Sequence, residues 1–168
     1  PPEVLHSARS YELQRVSLSV DGRSLAVAGH YWSGVFDLES PWEAQRFSRN
    51  VPQSFTSLSP DQPRVATADF FGRGILVWSR ENGELLQALA TNVQGQVAYS
   101  PDGRHLATLA NDCRLWDAHS LQPLRRLDLR PAAQTEGTLV FSGDSRVLAA
   151  AEHQRVKLFD VATGAELA

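Results

Sequence analysis

Four copies of one short motif, recurring with a period of about forty residues, constrain this chain more than any other feature. They are Ser19-Val20-Asp21-Gly22, Ser59-Pro60-Asp61-Gln62, Ser100-Pro101-Asp102-Gly103 and Ser142-Gly143-Asp144-Ser145. Each is followed by a short apolar stretch and then by an aromatic residue that ends a hydrophobic run: Phe36, Trp78, Trp116 and Phe159. A repeat of this size implies one structural unit stacked on itself, each neighbour supplying the core that no unit can bury alone.

The copies agree in register when counted from the aspartate. Three residues before it stand Leu18, Leu58, Tyr99 and Phe141; four after it stand Leu25, Val65, Leu106 and Leu148; five after it stand Ala26, Ala66, Ala107 and Ala149. An alanine held at one place in every copy predicts close approach of packed sheets or of the array's axis, where a larger side chain would overpack. Within a repeat the pattern is β. Val16, Leu18 and Val20 alternate with polar residues as in a half-buried strand, and Ile75-Leu76-Val77-Trp78 and Val156-Lys157-Leu158-Phe159 read as central strands covered on both faces. Ser-Pro-Asp-Gly is a tight-turn sequence, since proline presets one dihedral and glycine accepts a positive φ. A second turn follows the third strand at Glu81-Asn82-Gly83 and Ala162-Thr163-Gly164, and Leu85–Leu89 reads as a fourth strand. Each repeat is expected to be a four-stranded antiparallel sheet, with little helix.

The run Tyr99-Ser100-Pro101-Asp102-Gly103-Arg104-His105-Leu106-Ala107-Thr108, continued by Arg114-Leu115-Trp116-Asp117, resembles the WD repeat (WD40) of β-propeller proteins, as does Val156 to Gly164. The resemblance extends over essentially the whole chain after about residue 10. It implies an all-β, WD40-type propeller of four four-stranded blades: 1–10 as an N-terminal strand or linker, 11–50, 51–92, 93–132, and 133–168 with its outer strand incomplete. Members of that family link a Trp on the third strand, a hydroxyl on the second, a turn Asp and a His. Trp78 with Thr67 and Trp116 with Thr108 fit. The first repeat instead has Val27 with Phe36, the fourth has Ala150 with Phe159, and the His is absent from the inter-blade loops of the later repeats, with His6 the candidate for the first. A half-satisfied buried network is worse than an apolar one, so replacement by Val, Ala and Phe keeps the blades stable through packing. Rings of this family have about seven blades, so four are expected to be a piece of a larger ring. A closed four-bladed ring, or two chains giving eight blades, is the alternative. Unpaired edges and open apolar faces would favour self-association.

Composition restricts the function classes. With 42% hydrophobic and 21% charged residues the 168-residue chain can bury a sizeable core, and its apolar runs are strand-sized, so no membrane partner is expected. A net charge of −3 argues against a nucleic-acid-binding surface. One cysteine excludes an internal disulfide framework and fits a reducing, cytoplasmic setting. No nucleophile elbow, phosphate-binding loop or cluster at metal-ligand spacing occurs, so neither catalysis nor a cofactor is expected. Cys113 reads as a packed, inert thiol, and Asp21, Asp61, Asp102 and Asp144 as turn formers rather than an acid array.

In the resembling family the loops between second and third strands lie on the rim that most often meets partners. Here they place His30, Tyr31 and Trp32 on the first repeat, Phe70, Phe71 and Arg73 on the second, and His153 and Arg155 on the fourth. Aromatic residues and arginine dominate interface hot spots; the alternative is that two or more rings fold back as local cover. The function expected is a non-catalytic protein-interaction scaffold or sensor module, a segment of a larger multidomain protein that presents rim loops to a protein or peptide. The alternative is a propeller enzyme or small-ligand-binding propeller with its site at the central channel.

Overall fold

The structure is a computed structural model; it describes residues 13–29, 32–39, 44–49, 55–69, 72–129, 138–152 and 155–168. The described residues form fifteen strands and no helix, so none could cross a membrane as a helix. The first sheet runs β1 (Leu13–Leu18), β2 (Ser24–Gly29), β3 (Trp32–Asp37) and β4 (Ala44–Arg49). The second runs β5 (Phe55–Leu58), β6 (Arg64–Ala68), β7 (Ile75–Ser79) and β8 (Leu85–Ala90). The third runs β9 (Gln96–Tyr99), β10 (His105–Leu109), β11 (Cys113–Asp117) and β12 (Pro123–Leu127). The fourth runs β13 (Thr138–Phe141), β14 (Val147–Glu152) and β15 (Arg155–Asp160). All four are antiparallel meanders in sequence order. The fourth has three strands, to which a bridge from Phe159 to Glu166 begins to add another.

The turn motif sets this register through hydrogen bonds. Ser19, Ser100 and Ser142 each donate a hydroxyl to the aspartate two residues on, at 2.5, 2.6 and 2.6 Å. Each of these serine oxygens also accepts the backbone N–H five residues on, from Ser24, His105 and Val147. The aspartates in turn accept the N–H of Arg23, Arg104 and Arg146. Gly22, Gly103 and Ser145 take the positive φ that closes these turns. The second copy has Gln62 in that place and adopts another turn, in which Gln62 N–H meets the Ser59 hydroxyl.

The core lies between sheets, in three layers that repeat. Ala26 and Val35 of the first sheet pack on Leu58, Val65 and Trp78 of the second. Ala66, Ala68, Ile75 and Val77 of the second pack on Val97, Tyr99, Leu106 and Trp116 of the third. Ala107, Leu109, Cys113 and Leu115 of the third pack on Leu139, Phe141, Leu148 and Phe159 of the fourth. The alanine column thus sits where sheet meets sheet: Ala26, Ala66 and Ala107 are fully buried, each directly opposite a Val or Leu of the third strand.

Two readings of the sequence are corrected. Val16 and Leu18 lie in β1 and Val20 in the following turn, yet all three are exposed rather than half-buried. Val156, on a strand expected to be covered on both faces, is 61% exposed. Val16, Leu18 and Val156 belong to outer sheet faces over which no neighbouring sheet lies among the described residues, and Val20 stands in a turn.

Candidate interaction rim

A meander places every turn between first and second strands, and between third and fourth, on one edge, and every loop between second and third strands on the opposite edge. The turn edge is occupied by bonds between neighbouring sheets. Arg64 donates to the carbonyls of Ala118 and His119 at 2.9 and 2.8 Å, and Arg80 reaches the Ser24 hydroxyl at 2.6 Å. His119 lies 3.2 Å from Asp61, and Asp102 N–H donates to the Ser145 hydroxyl. That last bond gives Ser145, a non-glycine residue at φ 62°, a polar role in its left-handed position. A Cβ on Gly103 would also meet the Asp61 carboxylate, which would have to move aside.

The second-to-third-strand edge carries dissimilar chemistry. On the second sheet Asp69 is fully buried and accepts the Arg73 N–H at 2.9 Å, leaving the Arg73 side chain exposed. Gly72 and Gly74 both have positive φ, and a Cβ on Gly74 would strike the Ala90 carbonyl. The described part of the loop is therefore tied to Asp69 at Arg73, whose side chain faces water. On the third sheet Asp112 accepts a two-pronged interaction from Arg114 at 2.9 to 3.0 Å and lies 3.4 Å from Arg126. The Asp112 side-chain bond and charge raise the pKa of Arg114 still further. On the fourth, Arg155 opens β15 opposite Glu152 and is exposed. Lys157 occupies the place of Arg114, bonding the Asp128 carbonyl at 3.1 Å and Glu166 at 2.6 Å.

Of the residues expected at this rim, Arg73 and Arg155 are seen there. Trp32 begins β3 on the same edge, paired with Arg49 at a register shift, its side chain not described. His30, Tyr31, Phe70, Phe71 and His153 lie outside the described residues. The Asp112, Arg114 and Arg126 group was not anticipated, although its signal was present: residues two apart on a strand share a face. Cys113 is buried between the third and fourth sheets, and its thiol is pushed up to about 12, first by burial and then by Asp112. Among the described residues no three His, Cys, Asp or Glu side chains gather as metal ligands would.

The bonds expected between Trp and hydroxyl are present. Trp78 Nε1 donates to Thr67 Oγ1 and Trp116 Nε1 to Thr108 Oγ1, both at 2.9 Å. Val27 and Ala150 hold the threonine positions in the first and fourth sheets, in line with Val16 and Leu139 on the inner strands.

No protein-family model and no curated protein sequence matches the chain. Solved structures do match. The β-propeller domain of Cps50 (Swd1) from Myceliophteria thermophila superposes with a TM-score of 0.75 at 16% identity, over 100% of this chain and 57% of that one. The four sheets are blades of a β-propeller. Hydrazine synthase of Kuenenia stuttgartiensis superposes with a TM-score of 0.74 at 14% identity, over 99% of this chain and 52% of that one. The blades thus span little more than half the length of either. Since 1056 solved chains match, the likeness defines an architecture and leaves activity to the site.

Proposed function

We propose that this propeller segment is a non-catalytic scaffold or sensor module that presents its second-to-third-strand loops to a protein or peptide partner in the cytoplasm. One observation carries the reading: the four blades are locked in the same phase, so four loops of unlike sequence emerge along one edge while the opposite edge is occupied by repeated turns and inter-blade bonds. Arg73, held over a buried Asp69, and Arg155 are its exposed cations, and His30, Tyr31, Trp32, Phe70, Phe71 and His153 supply the rest of the proposed partner surface.

The test is capture of partners from the source cell by the chain and by Trp32→Ala, Phe71→Ala and Arg73→Ala variants, followed by affinity measurement on any protein recovered. Losing an interface anchor of about 2 kcal/mol corresponds to roughly 30-fold weaker binding. That loss with an unchanged Tm supports the reading. A collapse in Tm with capture intact assigns the rings to blade cover instead.

A further inference from the structure

Two arginines stand directly opposite each other on neighbouring strands of the third blade, Arg114 on β11 and Arg126 on β12. Like charges so placed are destabilising, and one carboxylate offsets both. Asp112 accepts from Nε and Nη2 of Arg114 at 2.9 to 3.0 Å and lies 3.4 Å from Nε of Arg126. That carboxylate is largely covered, at 17% exposure, whereas the Arg114 and Arg126 side chains are 45% and 59% exposed. Nη1 of Arg114 and both Nη of Arg126 have no protein partner among the described residues, and one positive charge is in surplus.

The scaffold does not require this group. At the same two places the first blade has Gly34 and Arg46, and the second has Leu76 and Ala88. The fourth has Lys157 in the place of Arg114, but its ammonium is met by Glu166 and the Asp128 carbonyl. Exposed ion pairs contribute little to stability. The group is also placed on the loop edge: Asp112 lies in the loop that enters β11, and β12 leaves the sheet on that side. Arg73 of the preceding blade and Arg155 of the following blade are exposed on the same edge. Against these four arginines stand Asp112 and Asp128, among the carboxylates whose side chains are described, with Asp69 buried. The turn edge has the opposite balance, since it carries Asp21, Asp61, Asp102 and Asp144 in the first turns and Asp37, Asp117 and Asp160 at the ends of third strands. A chain of net charge −3 thus gathers positive charge along one edge of three consecutive blades.

We propose that the Arg114 and Arg126 pair anchors an oxyanion, carboxylate or phosphate, on an acidic stretch of the partner polypeptide, with Arg73 and Arg155 as flanking contacts. This rests on the reading of the loop edge as the partner surface and names the chemistry of what binds there. A planar guanidinium matches a carboxylate or phosphate with two parallel hydrogen bonds. Two guanidiniums already held by Asp112 also lose less freedom on binding than two untethered ones. A polypeptide is favoured over nucleic acid because the acidic turn edge and the net charge oppose a continuous phosphate backbone.

The test is fluorescence anisotropy of labelled peptides on one Gly-Ser frame, carrying glutamate, phosphoserine, glutamine or lysine at the same positions, titrated with the 168-residue chain at low salt. The glutamate or phosphoserine peptide should bind, the glutamine and lysine peptides should not, and added salt should weaken binding. The tighter of the two acidic peptides identifies the oxyanion as carboxylate or phosphate. Arg114→Gln with Arg126→Gln should weaken binding roughly tenfold or more. Arg104→Gln with Arg146→Gln makes the same change in charge on the turn edge, where both side chains are exposed, and should leave binding nearly unchanged. Arg126→Gln alone keeps the bonds between Arg114 and Asp112, so its loss, measured at an unchanged Tm, reads the site without disturbing the blade. Equal losses from the two double variants reduce the effect to general attraction between opposite charges and overturn the proposal. So does the absence of binding by both acidic peptides, or a single-stranded oligonucleotide that displaces them at the same salt. Acidic peptides whose binding depends on Trp32 and Phe71 but not on the arginines overturn it too, while leaving the loop edge as the partner surface.

Discussion

Replacing Thr108 with Val deletes one hydroxyl and keeps the branched shape, leaving the Trp116 indole N–H without its partner. The bond is 2.9 Å long, and both residues are buried, Thr108 at 4% and Trp116 at 7% exposure. An orphaned buried donor costs about 1–3 kcal/mol, more than the net worth of an ordinary hydrogen bond. In a domain of this size each kcal/mol shifts Tm by about 2–4 °C, so a loss near 2 kcal/mol lowers it by about 6 °C. The equivalent Thr67→Val in the second blade should cost less, about 0.5–1.5 kcal/mol, because Trp78 is only half-buried and water can reach its ring. A denaturant double-mutant cycle with Trp116→Phe completes the test. Once the indole is gone, Thr108→Val relieves an unmet hydroxyl instead of creating an unmet donor, and the cycle should show a coupling of at least about 1 kcal/mol. This is the pair already present in the first blade, where Phe36 and Val27 stand in the same two places. Strict additivity, or a Thr108→Val variant as stable as the parent, refutes the claim that this bond holds the third blade.

Gly74→Ala should destabilise the chain by about 2 kcal/mol or more, since φ there is 112° and the Cβ meets the Ala90 carbonyl; Gly143→Ala, with open space around it, should stay within about 1 kcal/mol of the parent. Acid unfolding should follow the turn carboxylates. Asp21 and Asp144 are held below the ordinary carboxylate range, first by the Ser19 and Ser142 hydroxyls and next by the N–H of Arg23 and Arg146. A depressed folded pKa contributes stability above the unfolded value of about 3.9 and loses it as pH falls through and below that value. Asp144→Asn should therefore be less stable than the parent at pH 7 and converge with it near pH 2, as read by urea midpoints across that range; a constant difference contradicts the assignment.

The scaffold was legible because its causes are local and repeated. Ser100 and Asp102 make their turn with the backbone of residues at most five positions away, and Thr108 meets Trp116 across one hairpin. Four copies of such local chemistry can be aligned by eye. Exposure at the ends was not legible: Leu18 and Phe141 are equivalent by register and differ only in whether a neighbouring blade lies over them. The same limit applied to polar residues that act between blades. Arg64 reads as an ordinary strand-edge charge, and its carbonyl partners at Ala118 and His119 lie more than fifty positions away. Arg73 and Arg155 could be placed on the rim by counting, whereas the ion pairing of Arg114 and Arg126 through one Asp112 requires β11 and β12 to lie side by side.

Hydrogen–deuterium exchange resolved to short peptides tests the central claim most directly, because it reads backbone pairing residue by residue. Four in-phase blades predict protection that peaks in β2 and β3, β6 and β7, β10 and β11, and β14, each paired on both sides, with the Ser-x-Asp turns exchanging faster between these peaks. That profile recurs four times, at intervals of about forty residues. Protection confined to one continuous block, or out of phase with the turn motifs, would contradict the account.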